Sequence, residues 1–191
     1  MTFKQKAAYI WEYYKGVFAG IIIACVIISI GVQMFQNSQL KSLLSIAVVD
    51  SNYNHDEQVE ALQNDFLAYA GTGDKHEVVD VDTSLLSGDD YNAVVKMTVV
   101  MGAGTADMMF CGEETYKKYK QQEAFLSWKE ILGDDYSKYE EYMTDDGRLD
   151  LEKCPNWEKY NMVYYSPVYA VVMSSSKNLE NCIKFLEMMV Q

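Results

Sequence analysis

A single apolar run near the N-terminus, Gly16 to Phe35, holds twenty residues without a charge. As a helix rising about 1.5 Å per residue it extends about 30 Å, the thickness of a bilayer's hydrocarbon core. The run therefore predicts one transmembrane helix with a separate domain of about 155 residues behind it, enough for one full hydrophobic core. Lys4, Lys6 and Lys15 precede it, and Tyr9, Trp11, Tyr13 and Tyr14 stand among them. Lysines before a span favour a cytoplasmic N-terminus, and clustered Trp and Tyr mark the membrane interface. The expected organisation is a cytoplasmic segment (1–15), a transmembrane helix (16–35), a linker (36–42) and an extracellular α/β domain (43–191).

Two other readings of the run place the domain outside as well. A cleaved signal sequence would have a shorter apolar core followed by a small-x-small site, and neither is present. Ile22-Ile23-Ala24-Cys25 loosely matches a lipidation motif. The residues after Cys25 are as apolar as those before it, where a lipid-anchored protein would continue with a polar tether.

Charge narrows the partners. Behind residue 37 stand 13 Lys and Arg against 27 Asp and Glu, a net charge of −14. Such a domain repels nucleic acid and anionic lipid headgroups, so nucleic acid is excluded as a partner. Cys111, Cys154 and Cys182 are an odd set whose spacing fits no zinc pattern. The loop around Gly147 fails as a calcium loop. With Gly147 in the sixth position, the first, third and twelfth fall on Tyr142, Thr144 and Lys153. His55 and His76 are the only histidines, and no Ser-His-Asp or Cys-His pairing is suggested. The expectation is a non-enzymatic chain with no cofactor and no metal.

The pattern behind the linker alternates between strand and helix. Residues 43–50 are a continuous apolar run ending in a turn, a buried strand. Asn54, with Glu57 three residues on, predicts a capped helix bearing Val59, Leu62, Phe66 and Tyr69; Gly71–Asp74 stops it. Residues 76–82 alternate as a second strand. Asp89 or Asp90 opens a helix with Tyr91, Val94, Val95, Thr98 and Met101 as its apolar stripe, although the valines leave a strand open. Gly102–Thr105 breaks that element. A third strand (106–112) and a helix with acids first and lysines later (113–122) follow. This β-α-β-α-β-α order predicts a mostly parallel sheet flanked by helices. Residues 127–132 and 136–143 look like short helices. Residues 163–176 read as a strand pair or one bent strand, with Pro167 at its edge or breaking it. The C-terminal segment is amphipathic, with Leu179, Cys182, Ile183, Leu186 and Val190 on one face.

Residues 103–132, AGTADMMFCGEETYKKYKQQEAFLSWKEIL, resemble the extracellular solute-binding proteins of ABC importers. That family shows a helix ending in a Gly-Thr-x-Asp-like turn, a buried strand, a helix, and a Phe or Leu leading into an apolar lid helix. Residues 168–189 resemble the family's return strand and following helix, with Lys177, Asn178, Glu180, Phe185 and Leu186 matching. The family's second lobe would be inserted between these pieces, where this chain has only residues 126–163. The resemblance thus implies a single, membrane-anchored lobe on a Gram-positive-type cell surface. A lone lobe lacks the clamshell that buries a small ligand. The implied role is docking on a protein partner or membrane complex, with a shallow site for a small sugar or peptide as the alternative.

Open parallel sheets bind beyond the carboxyl ends of their strands. The candidate rim is therefore Asp50, Ser51, Asn52 and Tyr53 after the first strand, Asp82, Thr83 and Ser84 after the second, and Gly112, Glu113 and Glu114 after the third. Ser174, Ser175 and Ser176 follow the return strand. All of these also suit ordinary capping and turns. Trp157, Tyr160, Tyr164 and Tyr165 are a second candidate, either stacking on a sugar or anchoring a partner, or packing a core where the missing lobe would be. The predicted topology has a direct check. Alkaline phosphatase fused behind Gln191 is expected to be active in cells, and an inactive fusion would place the domain in the cytoplasm.

Overall fold

The computed structural model describes the backbone of residues 3–37 and 39–191, and the side chains of residues 14–35 and 39–191. The side chains of Lys4, Lys6, Tyr9, Trp11 and Tyr13, read above as the flank of the span, lie outside the described residues. The chain divides into two compact units, Met1–Leu40 and Lys41–Gln191. The first is one helix, α1 (Phe3–Asn37). It contains one stretch, Tyr14–Phe35, long and apolar enough to cross a membrane, at 22 residues. From Phe3 onward the predicted cytoplasmic segment is continuous with the predicted span as one helix.

The second unit is an α/β domain. Its strands are β1 (Lys41–Val49), β2 (Glu77–Leu85), β3 (Met108–Cys111), β4 (Phe125–Leu126), β5 (Leu149–Asp150) and β6 (Tyr169–Met173). Its helices are α2 (Asp56–Ala70), α3 (Tyr91–Ala103), α4 (Glu113–Lys120), α5 (Trp128–Leu132), α6 (Trp157–Tyr160) and α7 (Leu179–Val190). The strands form one sheet in the order β2-β1-β3-β6-β4, with β5 also paired to β6. The β1–β2 and β1–β3 pairs are parallel. All three pairs made by β6 are antiparallel. The sheet is therefore mixed, and the expected mostly parallel order holds only for β2-β1-β3. The helical crossovers through α2 and α3 return the chain to run parallel. The irregular stretch after α5 instead brings β6 back in the opposite sense.

Strand alternation gives the sheet two apolar faces. Leu44, Ile46 and Val48 of β1, Met108 and Phe110 of β3, and Ala170 and Val172 of β6 point to one side, where Leu62 and Phe66 of α2 and Phe185, Leu186 and Met189 of α7 cover them. Ala47, Val49, Met109, Cys111, Tyr169, Val171 and Met173 point to the other, beneath Met97 and Val100 of α3 and Tyr116 and Tyr119 of α4. In β2, Val79 belongs to the first face and Leu85 to the second. An extra residue between Asp82 and Leu85, opposite Ala47–Val49, causes the switch.

Three local expectations change. Asn54 does not cap α2, which starts at Asp56 with His55 in the cap position and no side-chain cap bond. The Asn54 amide is instead taken up by the Asn52 side chain in a turn. In α3 the buried residues are Ala93, Met97 and Val100, whereas Tyr91, Val94, Val95 and Thr98 of the predicted stripe are exposed. The buried face of α7 centres on Cys182, Phe185, Leu186 and Met189, and Leu179 lies outside it. Asp90 does cap α3, its carboxylate accepting from the amides of Asn92 and Ala93.

Asp107, just before β3, is one of two buried polar or charged side chains among the described residues, with Thr115. Its Oδ2 accepts from the Ser45 amide (2.9 Å) and Asn178 Nδ2 (3.0 Å), and its Oδ1 from the Ser176 hydroxyl (2.8 Å). Its backbone amide donates to the Ser45 carbonyl, and its carbonyl accepts from the Met173 amide, both at 2.8 Å. Gly104 ends α3 at φ 61°, and a Cβ there would stand 3.2 Å from Ser175 Cβ, so the turn needs glycine. Replacing Asp107 with Ala strands several buried donors and is expected to cost about 3 kcal/mol. Asp107→Asn is expected to cost clearly less, because its amide can donate to the Ser176 oxygen while its carbonyl keeps the Oδ2 contacts. Thermal melting of the detergent-solubilised full chain reads both; equal losses would contradict this assignment.

Candidate functional site

The carboxyl ends of β1, β2 and β3 meet at one edge of the sheet. Asp50 leaves β1 with φ 51°, a left-handed conformation that Asp tolerates better than most residues. Its amide donates to the Leu85 carbonyl (2.9 Å), and its carboxylate accepts from the Ser87 amide (3.0 Å). The Ser51 hydroxyl donates to the Thr83 carbonyl (2.8 Å), and the Asn52 amide to the Met162 carbonyl (2.8 Å). Ser51 also bridges Val163. Asp50, Ser51, Asn52 and Tyr53 thus reach the predicted rim, but the polar atoms of the first three hold neighbouring loops. Asp82 and Thr83 sit inside β2 rather than beyond it.

Gly112 and Glu113 follow β3 at the same edge. A Cβ on Gly112 would lie 3.2 Å from the Tyr165 ring, so glycine lets that ring close over the strand end. The Tyr165 hydroxyl donates to the Phe110 carbonyl (3.4 Å), and burial pushes its phenol well above the usual range. Asp50, Ser87, Gly112, Glu113, Glu114 and Tyr165 are among the residues lining a cleft of about 300 Å³.

Glu113 is tied down beside that cleft. It pairs with Arg148 and with Lys117 (3.0 Å). The Arg148 guanidinium lies between the rings of Tyr116 (4.3 Å) and Tyr169 (4.0 Å) and also reaches Asp146 at 2.7 Å, a cation–π clamp. The Arg148 bond, then Lys117, holds the Glu113 carboxyl down at about 2.

Ser174 and Ser175 are not on this rim. Because β6 runs antiparallel, its end lies at the opposite edge of the sheet, beside Gly104 and Asp107. The aromatic candidate also divides. Trp157 and Tyr160 are buried in the core, with Trp157 edge-on to Phe110 at 5.7 Å and the Tyr160 hydroxyl donating to Asp65. Tyr165 lines the cleft, and Tyr164 is exposed. No four-ring stacking platform forms.

A further surface was not singled out from sequence. The outer side of α3 exposes Tyr91 (82%), Val95 (41%) and Val99 (56%), and Leu86 (57%) stands just before the helix. The signal was present: α3 carries one charge, Lys96, in thirteen residues. A helix that is apolar all round normally has partners on all sides.

Among the described residues, no group of three or more His, Cys, Asp or Glu side chains is placed to hold a metal ion. Cys111, Cys154 and Cys182 are buried free thiols, and burial pushes each up to about 12. No protein-family model matches the chain, and comparison with curated proteins and with solved structures finds no match.

Two outcomes follow. The folded protein is expected to leave Cys111, Cys154 and Cys182 unlabelled by maleimide, with all three reacting after denaturation; rapid native labelling mapped to any of these three, as distinct from the exposed Cys25, would contradict their burial. Glu113 is more acidic folded than unfolded, so its stabilisation is complete above its ordinary range near 4.3 and lost as pH falls toward about 2. Glu113→Gln should flatten that limb of a plot of Tm against pH; an unchanged acid limb would show that the pairs contribute nothing.

Proposed function

We propose that this chain is a single-pass, membrane-anchored extracellular binding module. On this reading it is non-enzymatic, with a domain like a reduced solute-binding lobe that docks on a protein partner or membrane complex. The observation that carries the reading is the exposed apolar surface of α3 with Leu86. A row of exposed apolar side chains on a water-facing helix is the kind of surface that takes part in interactions. The anchor adds to it, since a tethered module meets membrane partners at high effective concentration. The two segments that resemble solute-binding proteins also join in space, through Asp107 of the first and Ser176 and Asn178 of the second.

A second reading, a shallow receptor for a small sugar or peptide, is favoured by the cleft at the strand ends. Its volume suits a small ligand, and Tyr165 offers an aromatic wall. Purification of the tagged full-length chain from its own membranes in mild detergent separates the two. A stoichiometric protein partner is expected. A solitary protein whose Tm rises with a sugar or peptide would favour the receptor and contradict docking.

A further inference from the structure

At 3.6 residues per turn, Val95 and Val99 point away from the buried residues Ala93 and Met97 of α3. That is where a surface helix normally carries its charges. The one charge on α3 is turned aside: Lys96 donates to the Ser84 carbonyl (3.2 Å) and lies 3.7 Å from Asp82. Tyr91, one turn before Val95, continues the row toward the N-terminal end of the helix, with Asn92 and Thr98 exposed beside it and Leu86 exposed in the loop after β2.

Carboxylates stand at the start of α3 and along its β2 flank. Asp89 and Asp90 stand at the start of α3. Along its flank, Asp80 and Asp82 of β2 line a cleft of about 100 Å³ with Val100, Thr105 and Ala106. Asp82 has Lys96 and Asp89 has Lys118 as partner, but Asp80 makes no ion pair among the described residues. A second copy of the chain would bring another Asp80 without an ion pair, on another domain of charge −14, to the same surface. Like-charge juxtaposition is strongly disfavoured at an interface.

We propose that the outer face of α3 is a docking surface for an amphipathic segment of a partner protein. That segment packs apolar residues on Val95, Val99 and Tyr91 and places a Lys or Arg beside Asp80. The proposal rests on the binding-module reading and adds the chemistry of the partner.

The test uses the full-length chain in its own membranes. A photo-reactive benzoylphenylalanine is placed at Val95 and, as a control, at Glu180 on α7 across the sheet. Both positions are exposed, so the fold is expected to survive, and a thermal melt checks it. Irradiation should give an adduct from position 95 and none from 180. Mass spectrometry of the joined peptide should show apolar residues flanked by Lys or Arg. Asp80→Lys should lower the yield about fivefold, as expected for one exposed ion pair replaced by repulsion. An adduct of two copies, an adduct with lipid, or a joined segment without basic residues would overturn the proposal. An absent adduct at 95 beside a partner that still co-purifies would overturn the α3 surface alone and leave the binding-module reading standing. Absence of both would remove that reading as well.

Discussion

The buried carboxylate of Asp107 is the joint on which the domain depends. It stands just before β3, and its carboxylate bonds tie that strand's start to β1 and to the turn after β6. A charged group is costly to bury unless its lone pairs are met, and here an amide, a hydroxyl and a side-chain amide meet them. Its backbone adds a bond to each flanking strand, through Ser45 and Met173. The parallel half of the sheet is thereby tied to the antiparallel half, although β6 arrives some sixty residues later in the chain. The turn from Gly104 to Asp107 also sets where α3 ends against the second face of the sheet.

That joint separates two edges with different roles. At the Asp107 edge, side chains are spent on holding elements together, and Ser176 and Asn178 belong to the scaffold. At the other edge, the ends of β1 and β3 leave a cleft, and the run from β2 into α3 leaves an apolar strip. The Glu113–Arg148 pair, clamped between Tyr116 and Tyr169, braces the start of α4 beside that cleft. The exposed apolar row on α3 is the physical basis for the proposal that the domain is a binding module.

Much of this was legible in sequence because local signals agreed with the tertiary structure. The uncharged run Gly16–Phe35 lies in a helix, β1 and β3 are short apolar runs bounded by turns, and Asp90 and Gly104 mark the limits of α3. What escaped was non-local. A strand's residues do not encode its direction, so β6 was placed by analogy with its parallel neighbours, and Ser174 and Ser175 went to the wrong edge with it. In α3 almost every position is apolar, so periodicity could not say which face is buried. The same ambiguity concealed the exposed strip of Val95 and Val99. Trp157 and Tyr160 carry polar atoms that a surface site could use, yet they fill the core beneath Phe110, a choice set by packing against α2 and β3.

The account's central claim is that the domain faces outward and that α3 is covered in the cell. Cysteines placed singly at Val95 and at Tyr53, which is 96% exposed, test both parts with a membrane-impermeant maleimide. In intact cells, Tyr53→Cys is predicted to react and Val95→Cys to be protected, whereas both should react in the purified protein. Equal reactivity of the two positions in cells and in detergent would contradict the account, leaving α3 an uncovered surface.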